Sequence, residues 1–339
     1  MAIHSSLTRA PRARYTEGAL AAGGEGNSGG SVMAFEDKVV ITCALSGVLA
    51  NRKQSVGIPY TPAEMGQEAK RAYDAGASVV HLHARNDDGS PTYSPAVFAA
   101  IKDEIRKRCP VILNFSTGTM LDDVSEQSAY IRESRPEIAA LNMGSMNYSK
   151  YSEKRKEFVF DMIFPNPYAK IVKLLQVMNE VGVKPELECF DTGFTAGCAP
   201  LIDMGVLKPP FQFSFIVGVL GGIPPMVESL QLQTKIMPAG AQWEVIGISH
   251  AHWRMIASAL VLGGNIRTGL EDHLYLPNKT MARSNGEMAE VAARMTRDVG
   301  REPATVEEAR VILALDQFAA GVENAADAQR LHAAPQAHA

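Results

Sequence analysis

Eight short apolar runs, each followed by a polar or helix-like segment, constrain this chain more than any other feature. They are KVVITCAL (38–45), ASVVHLHA (77–84), PVILNFS (110–116), EIAALNM (137–143), PELECFD (185–191), PFQFSFIVG (210–218), QWEVIGI (242–248) and GNIRTGL (264–270). All have strand length, and flanking Gly, Pro or Asp residues punctuate them. Helix signals lie between most of them. TPAEMGQEAKRAYDAGA opens with Thr61 as N-cap, Pro62 in the first turn and Glu64 three residues after the cap, and it stops at Gly76. Residues 166–183 carry apolar side chains at helical spacing, AHWRMIASALVLGG ends at Gly263 and Gly264, and two further helices are expected near 285–299 and 304–314. Eight strand-then-helix units predict an α/β fold, a (β/α)8 TIM barrel with extra C-terminal helices. A doubly wound open sheet is the runner-up, but no Gly-rich fingerprint follows the first strand.

Residues 1–36 contain GGEGNSGGS and little apolar periodicity, so they read as a disordered N-terminal extension. Arg9, Arg12 and Arg14 give that extension a faint targeting-peptide character, and Met33 offers an alternative start. The catalytic barrel is expected over 37–320, and 321–339 reads as a flexible tail. The 46% hydrophobic content is enough for a large core, and a formal charge of -4 argues against nucleic acid as a partner. No apolar run reaches the roughly 18 residues of a membrane span. Cys43, Cys109, Cys189 and Cys198 lack metal-type spacing and read as reduced thiols of a cytoplasmic protein.

A barrel of this kind carries its active site at the C-terminal ends of its strands. The second run places His81 and His83 there, two apart on a strand and therefore on one face. Two imidazoles aimed into one cavity suit a divalent metal, and a catalytic zinc needs a third protein ligand and an open position. NIRTGLEDHLY follows strand eight, close to strand two in a closed barrel, and supplies Arg267, Glu271, Asp272 and His273; Glu271 or His273 could complete the set. A second His-x-His, His250 and His252, falls where strand seven gives way to a helix, which splays the two side chains about 200° apart. Strand ends also place Ser116, Thr117 and Asn142 as candidate substrate contacts, with Glu186 and Glu188 on one face of strand five. Carboxylates inside a barrel require a cation, for which Arg267 or a metal would serve. The loop VGVLGGIP offers Gly218, Gly221 and Gly222 as candidates for backbone contact with a ligand.

Taken in order, ITCALSG, HLHARNDDGSP, NFSTG, PEIAALNMGSMNY, PELECFDTG, GVLGGIP, IRTGLEDHLYL, SNGEMAE and ATVEEARVIL resemble the β-keto acid cleavage enzymes over roughly residues 37–316. The resemblance implies a TIM barrel and a Claisen-type exchange, in which a 3-oxo acid and acetyl-CoA give acetoacetate and a new acyl-CoA. It implies a divalent metal, usually zinc, held by His81, His83 and Glu271. It implies Asp272 as base, Arg267 and Glu188 in a charge network around it, and Ser116 as a substrate contact. Homotetramers are typical of the family, with the helices after strand eight as candidate subunit contacts. Two positions depart from the members that cleave 3-keto-5-aminohexanoate. Leu49 stands where those enzymes carry an acid, and Ala140 where they carry a threonine. An ammonium group would lose its partner there, so a neutral or apolar 3-oxo acid is expected. Arg52 and Lys53 keep an anionic tail as a second option. A metal-dependent barrel aldolase or hydrolase acting without CoA, and a degenerate non-catalytic barrel, are the rival readings.

Overall fold

In a computed structural model that describes residue 35 and residues 37–321, the eight expected strands close into one parallel barrel. They are β1 (Ile41–Ala44), β2 (Val79–Leu82), β3 (Ile112–Ser116), β4 (Ile138–Asn142), β5 (Lys184–Cys189), β6 (Gln212–Val217), β7 (Gln242–Gly247) and β8 (Asn265–Thr268). Neighbours in the sequence are neighbours in the barrel, and β8 closes on β1 through Ile266–Ile41, Arg267–Thr42 and Thr268–Cys43. The extension over 1–34 and the tail from 322 onward lie outside the described residues.

The principal helices are α1 (Pro62–Asp74), α2 (Pro95–Arg106), α3 (Ser125–Ser134), α4 (Tyr168–Val181), α5 (Thr192–Ala196), α6 (Cys198–Asp203), α7 (Val227–Ile236), α8 (His252–Val261), α9 (Asn285–Asp298) and α10 (Val306–Ile312). The start of α1 is the capping box read from the sequence: Thr61 accepts from the Glu64 amide, and the Glu64 carboxylate accepts from the Thr61 amide. No described helix is long and apolar enough to cross a membrane.

The two-residue period of a strand sorts the barrel into an outer and an inner set. Val80, Leu82, Leu113, Phe115, Leu187, Cys189, Phe213 and Phe215 face the helices and build the main core. The inner residues stack in layers. Val40, Val79, Ile112 and Ile138 form an apolar floor, and Val306, Ala309, Leu313 and Leu315 seal it from below. Of the helices after β8, α10 lies under the floor and α9 beside α1. A two-residue parallel pair, Lys38–Val39 with Glu302–Pro303, ties the segment before β1 to the segment after α9.

One element was not read from the sequence. Between β4 and α4, Met146–Ser152 and Glu157–Phe164 form an antiparallel hairpin. Its inner side packs Met146 and Tyr148 onto Phe190, Ile216, Val219 and Ile246, an apolar wall at one side of the barrel mouth.

Candidate active site at the barrel mouth

The middle layer of the barrel interior is polar. Thr42 donates to Glu244 (2.8 Å), Ser214 lies between Glu244 (3.0 Å) and Glu186, and the Asn114 amide donates to Glu186. All five side chains are buried. Burial and the neighbouring Glu186 push the Glu244 carboxyl well above its usual range. Burial would raise Glu186 too, but hydrogen bonding with Glu244 and the nearness of His81 and Arg267 leave it lowered.

Above this layer the ends of β8, β1 and β2 converge. His81 is fully buried on β2, and His83 follows it at the strand end, their rings 5.3 Å apart and steeply inclined. Glu271 comes from the turn after β8, whose Glu271 amide donates to the Ala44 carbonyl of β1 (3.3 Å). Glu271 Oε1 lies 3.7 Å from His81 Nε2 and 3.4 Å from His83 Nε2. A tetrahedral ion with bonds of ~2.0–2.1 Å sets its ligands ~3.3 Å apart, so the spacing fits one cation. Glu271 Oε2 is buried without a partner in the protein, which leaves that carboxylate spare capacity for a ligand. Burial, helped by Arg267, pushes His81 down to about 3, so its ring is neutral and can donate a lone pair. Burial opposes the charge on Glu271, yet Arg267 and the two histidines hold its pKa well below the usual carboxylate range. His273, the other candidate third ligand, turns away to face His252 (5.5 Å) and Tyr275 (5.8 Å).

Arg267 organises the carboxylates. It is buried and donates from Nε to Asp272 Oδ2 (3.1 Å) and from Nη2 to Asp272 Oδ1 (3.0 Å) and Glu271 Oε1 (2.7 Å). A longer contact from Nη1 reaches Glu188 Oε1 (3.4 Å). Burial pushes Asp272 up to about 6 against the opposing pull of Arg267. For Glu188, burial and the adjacent Glu186 outweigh the longer Arg267 contact and push it up to about 8. A second grouping of possible ligands, His81 with Glu186 and Glu188, shares this space. Its glutamates are already engaged by Asn114, Ser214 and Arg267.

The other expected site residues are placed unevenly. Ser116 and Asn142 end β3 and β4 inside the mouth, and Asn142 Oδ1 is buried without a partner. The Thr117 hydroxyl is bonded to the Ala140 carbonyl (2.5 Å), while the Ala140 methyl is buried in β4. Leu49 lies on the β1–α1 loop and is 55% exposed. Arg52, on the same loop, is paired with Glu64 and lies over the Tyr60 ring. In the β6 loop, Gly218 and Gly221 have positive φ. A Cβ on Gly221 would meet the Asn147 carbonyl of the hairpin at 1.9 Å, and one on Gly222 the Phe190 carbonyl at 2.7 Å. A Cβ on Gly218 would meet the Ile248 carbonyl at 2.7 Å, so close backbone packing accounts for all three glycines. His252 is buried in α8 with both ring nitrogens satisfied, by the Gly247 carbonyl (2.6 Å) and the Thr268 hydroxyl (2.9 Å), and it takes no part in a metal pair with the exposed His250.

Three features were missed in the sequence. Thr42, Ser214 and Glu244 are single polar residues on apolar strands, and only barrel closure joins them. Arg85, just after the two histidines, is 2% exposed and donates to four backbone carbonyls. Tyr148 of the hairpin packs among Phe160, Phe164 and Phe190. Burial, with Glu271, Asp272 and Glu188 nearby, raises its phenol to about 12.

Two imidazoles, three acids and one guanidinium gathered at the C-terminal rim of a parallel barrel define a (β/α)8 protein of the enzyme type, with a metal-competent mouth. The chain belongs to the beta-keto acid cleavage enzyme family, which it matches over residues 38–315. It is similar to the 3-keto-5-aminohexanoate cleavage enzyme of Fusobacterium nucleatum, 35% identical over 82% of this chain and 98% of that protein. It is also similar to the 3,5-dioxohexanoate:acetyl-CoA acetone transferase of Paraburkholderia graminis, 32% identical over 84% of this chain and 97% of the relative. Among solved structures, apo ObcA superposes with a TM-score of 0.66 at 18% identity, covering 76% of this chain and 65% of ObcA, and supports the fold.

Proposed function

We propose that this protein cleaves a 3-oxo acid at the expense of acetyl-CoA, giving acetoacetate and the CoA ester of the remaining fragment. The observation that carries the reading is the convergence of His81, His83 and Glu271 directly beside the Arg267–Asp272 pair. His81, His83 and Glu271 would hold a divalent metal, with zinc the best fit to two neutral imidazoles and a carboxylate. When bound, it would supply a Lewis acid for the ketone and carboxylate oxygens of the substrate.

The protein's own groups account for the proton transfer and the orientation. Asp272 is the base for the α-proton. Its two oxygens are fixed by Arg267, and a carboxyl raised to about 6 is a stronger base than an ordinary aspartate while still ionised at neutral pH. Glu188 accepts from the far side of Arg267 and keeps the guanidinium in the plane that serves Asp272. Ser116 and Asn142 point hydrogen-bonding groups into the mouth, where a substrate carboxylate or a developing oxyanion would be received. The β6 loop with Gly218, Gly221 and Gly222 lies at the rim and is the candidate contact for CoA.

The tail of the substrate is neutral or apolar in this reading. Leu49 and Ala140 offer no charge, and the nearby Arg52 is already engaged with Glu64. Four buried free cysteines suit a reducing, cytoplasmic setting, and a homotetramer is the expected assembly. The test is a mass-spectrometric screen of zinc-loaded protein with acetyl-CoA and 3-oxo acids bearing apolar, anionic and cationic tails. Acetoacetate together with a new CoA ester, formed best with the apolar tail, is the expected result. Turnover that does not need acetyl-CoA would overturn the reading in favour of an aldolase or hydrolase.

A further inference from the structure

Arg85 follows the histidine pair by two residues and touches neither the carboxylates nor the barrel interior, yet its guanidinium is one of the most fully engaged groups in the molecule. Nε donates to the Gly47 carbonyl (2.9 Å), Nη2 to those of Ser46 (3.0 Å) and Ala50 (2.7 Å), and Nη1 to that of Gly89 (2.9 Å). The Tyr60 ring covers it at 5.0 Å. Three of those carbonyls belong to the turn after β1 and the fourth to the turn after β2.

That β1 turn touches two of the three candidate metal ligands. Ser46 Oγ donates to the His83 carbonyl (3.0 Å) and lies 3.4 Å from the His83 amide. Gly47, at φ +56°, backs directly onto Glu271, and a Cβ there would come within 2.6 Å of Glu271 Cγ. We propose that Arg85 is a positioning residue for the metal-holding set, clamping the Ser46–Gly47 turn between the end of β2 and Glu271 so that His83 and Glu271 are preset before an ion arrives. The inference rests on the metal site described under Proposed function, and it assigns the arginine of the HLHAR stretch a task that no substrate contact explains.

The clamp is specific to a guanidinium. Four carbonyls arranged around one planar fork cannot all be served by an ammonium on a flexible stem. Arg85→Lys keeps the charge and loses the geometry. Residues that orient metal ligands from behind typically contribute 10–100-fold to metal affinity.

Zinc affinity would be measured by competition with a chromogenic chelator for wild type, Arg85→Lys and Ser46→Ala. Melting temperatures would be recorded with and without zinc, and Co2+ spectra would report ligand geometry. The expected result is a loss of zinc affinity of ~10–100-fold in Arg85→Lys and a smaller loss in Ser46→Ala. The stabilisation gained on adding zinc should shrink, and the Co2+ spectrum should change. An unchanged affinity and spectrum in Arg85→Lys, with melting lowered equally with and without zinc, would reduce Arg85 to a structural residue and overturn the proposal. Should Arg85→Lys fail to fold, Ser46→Ala decides: unchanged zinc affinity overturns the clamp. Wild type that takes up no zinc would overturn the metal reading itself, and the clamp with it.

Discussion

Single residues in this site divide between holding and reacting. His81→Ala removes a buried residue of the proposed zinc-holding set, so the variant should take up less zinc than wild type and lose turnover, as metal analysis and a steady-state assay would read. Asp272→Asn keeps the side-chain shape and one of the two bonds accepted from Arg267, but it cannot take a proton. It should retain zinc and lose ~10²–10⁴-fold in turnover, in a steady-state assay with acetyl-CoA. Far from the mouth, Lys184 provides a test of burial alone. It is 1% exposed, bonded to the Leu313 carbonyl, and pushed down to about 7 by desolvation. Its folded pKa lies below the unfolded value of ~10.4, so the unfolded chain binds the extra proton between those limits. The burden on stability is full below about pH 7 and fades as pH rises toward 10. Denaturant unfolding should therefore show wild type gaining on Lys184→Met by roughly 3 kcal/mol from pH 6.5 to 9.5. An identical pH dependence in the two proteins would mean that Lys184 is not desolvated. At this scale His81, His83, Glu188, Arg267, Glu271 and Asp272 were legible because each interrupts or ends an apolar run with a group that barrels do not bury idly. Arg85 was visible in the same stretch, but nothing local says that its partners are carbonyls of a turn some 38 positions away.

Elements tell a different story. Every barrel strand was legible from run length and punctuation, whereas the hairpin over 146–164 was not. Its tip, SEKRKE, reads as a solvated charged loop, and its second strand alternates exposed with half-buried positions instead of presenting a solid apolar face. The glycine loop after β6 invited a ligand-binding interpretation that close packing against this hairpin partly replaces. A pair of substitutions separates steric from conformational cost. Gly221→Ala and Gly240→Ala both place a side chain at positive φ, but only the first collides with backbone, the second having nothing within 4 Å. Thermal unfolding should show Gly221→Ala the more destabilised by ~2 kcal/mol or more, as overpacking costs of 1–3 kcal/mol add to the shared strain. Equal losses would mean that the hairpin yields easily.

For the whole molecule, the sequence declared the barrel and the two C-terminal helices but not their job. α10 is sealed against Val40, Val79, Ile112 and Ile138, so the barrel floor is completed from the C-terminal part of the described chain. A chain ending at residue 304 should fail to give a cooperative unfolding transition by circular dichroism; a sharp transition would show that the floor closes without it. The same geometry orders events in time. Glu271 reaches His81 and His83 only when β8 has docked beside β1, and nearby Asn285 bonds to Leu45 across 240 positions of chain. Contacts between such distant segments are late and slow to form. The proposed ion's binding place does not exist in any partly built barrel that lacks its last strand. Zinc capture during refolding would thus lag behind the appearance of helix, and would serve as a clock for the moment the ring of strands shuts.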